Sequence, residues 1–203
     1  MAKRTEGLDE VILACARTEF LDKGYEEASL RTIAGNASVS TSTIYTRYKD
    51  KEGLFRALVS PAAQQILDYM EYHLHEFEQL SAQDQTMNRQ VYASRGFNGF
   101  LDILYQNFDE FRLMTTCSTN ELYRYYLEKI VEADIQCTVN YLTVTDNPAY
   151  KEGRITEGFI HVVSSAFYSG IFEIAVHNMN RQEAEKYSEE LIRFYNNGWS
   201  SYL

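Results

Sequence analysis

The chain has 203 residues, 45% of them apolar and 24% charged, with a formal net charge of -10. That size and apolar content supply a core and exclude a chain that is mainly disordered. The basic residues of "MAKRTEGLDE" precede no apolar signal segment, and no apolar run approaches the roughly 18 residues of a spanning helix, so a cytoplasmic protein is expected. Cys15, Cys117 and Cys137 stand far apart and odd in number, which fits buried reduced thiols better than a disulfide framework.

Two prolines, Pro61 and Pro148, and the lack of apolar-polar alternation make the expected fold all-α. Leu8, Val11, Ile12, Cys15 and the pair Phe20 and Leu21 mark a first helix, ended at Gly24, where a left-handed backbone is accessible. Ser29 is placed to cap a second helix from Leu30 to Ala37, Ser40 a third to about Tyr48, and Asp50 a fourth beginning at Lys51. Beyond Pro61 the expected helices lengthen: 62–79, 86–106, 109–117, 120–144, 152–178 and 182–201. Ser118 with Glu121, and Asn180 with Glu183, have capping-box spacing, and "VTDNPAYKEG" is the clearest loop.

Charge is unevenly spread. Residues 1–60 hold nine basic and nine acidic residues, whereas the rest holds ten basic against twenty acidic. Between Arg31 and Arg56 five cations face Asp50 and Glu52, a positive island on an acidic chain and the expected docking place for an anionic partner. The same stretch holds five hydroxyl residues in six positions, Ser38 to Thr43. Ser and Thr are poor helix-interior residues, so something besides stability favours them there.

Two short helices joined by a turn at Ser38 to Ser40 form a helix-turn-helix pattern, whose second helix presents its first residues to the DNA major groove. Short hydroxyl side chains permit close approach, hydrogen-bond base edges and, in Thr, offer a methyl to thymine. Arg31, Thr41, Ser42 and Thr43 are therefore candidate base readers. Tyr45, Thr46, Arg47 and Lys51 are candidates for flanking and phosphate contacts, double-stranded DNA being the expected partner.

The stretch "EFLDKGYEEASLRTIAGNASVSTSTIYTRYKDKEGLF" resembles the DNA-binding region of TetR-type transcriptional regulators. Phe20, Gly24, Tyr25, Ile33, Ala34, Ala37, Val39, Ser40, Tyr45, Tyr48, Lys51 and Leu54 fall in register with that family's pattern over about residues 8–58. Two positions depart from it: Ser38 stands where a turn glycine is usual, and Arg47 where His or Tyr is common. The resemblance implies an N-terminal three-helix DNA-binding domain, residues 1–53. It further implies a larger helical domain, residues 54–203, that binds a small molecule and dimerises through its last two long helices. It also implies a homodimeric repressor released from a palindromic operator.

Apolar stripes at helical spacing are compatible with that dimer: Phe159, Val162, Ala166, Gly170, Ile171 and Ile174 on one helix, and Tyr187, Leu191 and Tyr195 on the last. Packing within one monomer is the other reading. Phe97, Phe100, Leu101 and Leu104 share a face of the helix 86–106, and Phe111, Tyr126, His161 and Ser165 are candidates to close an apolar pocket around it for a hydrophobic or aromatic effector. His73 and His75 are two apart and do not form a helical metal pair, and no nucleophile, phosphate-loop or dinucleotide motif appears. No enzyme, cofactor or metal is expected. A helical enzyme, a sensor or interaction protein without DNA binding, and an activator are the alternatives.

Overall fold

A computed structural model describes residues 3–116 and 121–202; Cys117 and the expected cap Ser118 lie outside the described residues. Every element among them is helical: α1 (Lys3–Glu27), α2 (Leu30–Asn36), α3 (Thr41–Tyr48), α4 (Lys51–Glu78), α5 (Ala82–Gln106), α6 (Phe108–Thr116), α7 (Glu121–Val144), α8 (Pro148–Lys151), α9 (Glu157–Val176) and α10 (Arg181–Trp199). The expected all-α class is what the chain adopts.

Local chemistry sets the N-terminal boundaries. Gly24 (φ 74°) interrupts α1, and Ser29, Ser40 and Asp50 accept hydrogen bonds from the backbone N–H groups of Thr32, Thr43 and Gly53. Asn180 and Glu183 complete a reciprocal capping box on α10. Several boundaries differ from expectation: α1 continues past Gly24 to Glu27, α5 begins at Ala82 rather than 86, and α9 begins at Glu157 rather than 152. α4 runs through Pro61 without a break, because Leu58, Val59, Ala62, Ala63, Ile66 and Leu67 bury one continuous stripe around it. That packing outweighs the ~3 kcal/mol a mid-helix proline costs. The loop before α9 contains the short α8, capped by Asn147 and entered through Asp146 at φ 57°.

The first three helices and the start of α4 enclose Ile12, Ala16, Phe20, Ile33, Ala34, Ile44, Leu54 and Phe55, all buried. α4 then packs against α5 and α7, α7 against α9, and α10 lies against α9. α6 sits where these groups meet, touching α1, α4 and α9. An ion pair between Arg17 of α1 and Glu110 of α6 ties the small N-terminal unit to the larger one. Helix α9 departs from the expectation that nothing is apolar enough to span a membrane: a window of it has mean hydropathy 1.5, of which 39% is buried inside the protein. It has an apolar inner face on the core and further apolar residues outside, which a core helix covered on two sides also requires.

Candidate DNA interface and interior cavity

The turn between α2 and α3 is held by the Val39 N–H donating to the Ala34 carbonyl at 2.9 Å, and it places Ser38 at φ 56°. This is the left-handed region that disfavours a side chain. Ser40 then opens α3. Its Oγ accepts from the Thr43 N–H at 3.1 Å and shares a hydrogen bond with Thr43 Oγ1 at 2.9 Å, while Thr46 Oγ1 donates to the Ser42 carbonyl at 2.8 Å. Thus Thr43 and Thr46 use their hydroxyls locally, whereas among the described residues those of Thr41 and Ser42 have no protein partner. Ile44 is the single buried residue of α3, so the helix is anchored by one side chain. Tyr45 (52% exposed), Arg31, Ser42 and Thr46 face solvent.

Arg47 and Lys51 are already engaged. Arg47 Nη1 donates to both Asp9 carboxylate oxygens at 2.8 Å, and the Tyr48 hydroxyl donates to the same carboxylate at 2.7 Å. Burial, together with the Asp9 hydrogen bond and charge, pushes the Tyr48 hydroxyl well above its ordinary range, so it remains a donor. This triad fastens the end of α3 to α1. Lys51 Nζ donates to the Glu26 carbonyl at 2.8 Å and the Ala28 carbonyl at 3.3 Å, and stands 4.9 Å from the Tyr25 ring centre. It neutralises the carbonyl end of α1 and fixes the entry to α4. Sequence spacing alone offers no sign that these two cations have partners 38 and 25 residues away.

A cavity of about 250 Å³ lies in the larger unit, between α4, α5, α7, α9 and α10. Phe97 and Phe100 line it, but the other expected pocket residues do not. Leu101, Leu104 and Phe111 fill the solid core, Tyr126 is buried with its hydroxyl on the Ser60 carbonyl at 3.4 Å, His161 faces solvent, and Ser165 sits on the flank of α9 next to Ser164, which does reach the cavity. The reason is rotational: Phe97 and Phe100 stand at the edge of the α5 stripe, and its centre packs on neighbouring helices.

The polar groups of the cavity were missed by sequence reasoning. Asp134 of α7 accepts from Ser164 Oγ at 2.5 Å and from the Tyr168 hydroxyl at 3.1 Å, both on α9. Burial raises the Asp134 pKa, against the lowering effect of those two hydrogen bonds. Burial and then the Asp134 charge push the Cys137 thiol up to about 12. Buried His73 bonds the Tyr92 carbonyl through Nε2 at 2.8 Å; Gly96 makes room for its ring, since a Cβ there would lie 2.4 Å from Cδ2. A sequence signal existed: Asp134 falls four residues after Ile130 and three before Cys137, a carboxylate on the buried stripe of a helix.

The expected dimer residues divide by direction. Ile171 and Ile174 point inward and are buried, Tyr195 lines the cavity, and Gly170 serves the contact of α9 with α10: Tyr187 donates to its carbonyl at 2.8 Å, and an added Cβ would meet Leu191 at 3.2 Å. Phe159, Val162 (65% exposed) and Ala166 face outward, as does Phe194 (73%) of α10. Among the described residues no group of three or more His, Cys, Asp or Glu could hold a metal ion.

A capped two-helix unit with an exposed, hydroxyl-rich second helix, braced by α1, defines a helix-turn-helix DNA-binding protein. Residues 12–58 match the family model for bacterial regulatory proteins of the tetR family. Over that N-terminal stretch the chain carries the DNA-binding region of that family. Its fold is shared over nearly the whole length with solved structures: a protein assigned to that family from Mesorhizobium loti (21% identity, 95% of this chain and 96% of that one, TM-score 0.61). A TetR-like transcriptional regulator from a Rhodococcus species (18%, 95% and 96%, 0.58) and the TetR family regulator PfmR from Thermus thermophilus (15%, 89% and 94%, 0.57) share it too. No curated protein matches the sequence.

Proposed function

We propose that the protein is a homodimeric repressor that binds a palindromic operator through α3 and releases it when a mainly apolar small molecule enters the cavity. The observation that carries this reading is the continuity of α4. Lys51 at its start joins α1 beside the recognition helix, and Met70, His73, Leu74 and Phe77 near its end line the cavity. At about 1.5 Å per residue, roughly 33 Å separate Lys51 from His73 along one helix. A ligand that tilts the far end of such a lever moves its near end, and with it α3. The division into a DNA-binding unit, 1–53, and a ligand and dimer unit, 54–203, then falls within the first turn of α4, so the two units share a helix.

Within this reading Thr41, Ser42 and Arg31 read bases, Tyr45 and Thr46 flank them, and Arg47 and Lys51 chiefly orient the module. The outward stripe of Phe159, Val162, Ala166 and Phe194 forms the dimer contact. A ligand that weakens operator binding a hundredfold must prefer the incompetent state by about 2.7 kcal/mol, and DNA must oppose the ligand equally. The test is selection from random duplex DNA with the wild-type protein, followed by footprinting. The expected product is a palindrome with half-sites one helical turn, about 34–36 Å, or a multiple apart. Enrichment of no sequence over the starting pool overturns the reading.

A further inference from the structure

The cavity contains a carboxylate, Asp134, that forms no ion pair within 4.0 Å, although His73 and Arg89 also line the wall. Asp134 receives two neutral hydroxyl donors, Ser164 and Tyr168, and a carboxylate has about four acceptor positions, so part of its capacity is left for something else. Arg89, on the same cavity wall, forms no ion pair with it within 4.0 Å. The surrounding wall is aromatic, including Phe77, Tyr92, Phe97, Phe100 and Trp199. Aromatic faces carry partial negative charge and attract cations, most strongly when water is excluded. Beyond residue 60 the chain also has twice as many acidic as basic residues, so its outer field draws cations inward. Three independent features therefore have the same sign.

We propose that the cavity selects a lipophilic monocation, an ammonium group carrying an aromatic or branched apolar body, with Asp134 as its counter-charge. This rests on the reading of the cavity as the effector site and names the chemical class that the site takes. Ser164 and Tyr168 hold the carboxylate from α9 while it projects from α7, so a bound cation bears directly on the contact between those two helices. The apolar body fills the space between α4 and α5 against Phe97 and Phe100. The neighbouring Arg89 marks the part of the wall where the cationic group does not sit.

The protein provides its own reporter, since Trp199 is the sole tryptophan and lines the cavity. Trp199 fluorescence is titrated with phenyltrimethylammonium, with its neutral isostere tert-butylbenzene, and with benzoate, on the wild-type protein and on Asp134→Asn. The wild type is expected to bind the cation about tenfold more tightly than the neutral isostere, and Asp134→Asn to lose that preference while keeping its affinity for tert-butylbenzene. Equal binding of cation and isostere by the wild type overturns the charge assignment and leaves the cavity as an effector site; that comparison needs no variant to fold. Retention of the preference in Asp134→Asn overturns Asp134 as the counter-charge. Tightest binding by benzoate, abolished in Arg89→Gln, overturns the proposal in favour of an anionic ligand. Absence of any response to all three up to millimolar concentration removes the effector-site reading and the proposal with it.

Discussion

The Asp9, Arg47 and Tyr48 triad tests whether a cation on a recognition helix contacts DNA or positions the helix. Arg47 is 23% exposed and Asp9 41%, so their mutual attraction is screened by solvent. A partly exposed pair contributes up to about 1 kcal/mol, and the Tyr48 hydrogen bond to a charged acceptor adds about another 1 kcal/mol. Asp9→Ala removes both and should lower stability by about 2 kcal/mol, or roughly 4–8 °C in Tm for a chain of this size. Arg47→Ala should lower it by about half as much, and in the double variant the losses should fall short of additivity by about 1 kcal/mol. Thermal unfolding by circular dichroism measures these values. DNA affinity, read by fluorescence anisotropy on a selected operator, then fixes the role. If the pair holds α3 against α1, both single variants weaken binding in the same direction, about threefold to tenfold, and Arg47→Ala leaves the salt dependence nearly unchanged. If Arg47 instead leaves Asp9 to meet a phosphate, Asp9→Ala strengthens binding, and Arg47→Ala lowers the slope of log K against log salt by about 0.9 per contact. Stronger binding by Asp9→Ala, or strictly additive losses of stability, refutes the positional reading.

Three other outcomes are expected. Val162→Glu combined with Phe194→Glu should give a folded monomer by light scattering, because both side chains face outward, whereas Ile171→Glu should unfold the chain; a dimeric double variant would place the interface elsewhere. Ser38→Gly should raise stability by about 1 kcal/mol, since glycine adopts the φ of 56° without the strain a side chain meets there, and an unchanged or lower Tm would contradict this. Asp134→Asn should gain stability relative to wild type as pH rises from about 4 toward 7: burial raises the folded-state pKa of Asp134, so the folded wild type holds its proton more tightly than the unfolded chain and loses stability through that window. Cys137 and Tyr168, both pushed upward, stay protonated throughout, and a Tm difference that is flat or shrinks toward pH 7 would show Asp134 to ionise normally.

The parts of this molecule that could be read from sequence are those governed by neighbours in the chain. Ser29, Ser40 and Asp50 cap because each is followed within three residues by the N–H it receives, and Gly24 interrupts α1 through its own backbone. Helix class, the turn and the exposure of Ser42 follow from the same short range. Pro61 shows where such reasoning stops, since a locally unfavourable residue is carried inside α4 by side chains packed on distant helices.

The cavity and the engaged cations depend on which face of each helix meets which neighbour, and periodicity fixes a face without fixing its partner. On α5 the stripe Phe97, Phe100, Leu101 and Leu104 was readable, yet two of its members border a void and two fill the core. A void is a property of five helices at once and leaves no mark on any one of them. What does leave a mark is the polar residue tolerated beside it. Asp134 breaks an otherwise apolar face on α7, and a half-buried carboxylate persists there when hydrogen bonds or a ligand compensate its lost hydration. In a helical chain of this kind, the charged residue lying on an apolar stripe is therefore a better guide to the cavity than the aromatics around it, because aromatics pack equally well against one another.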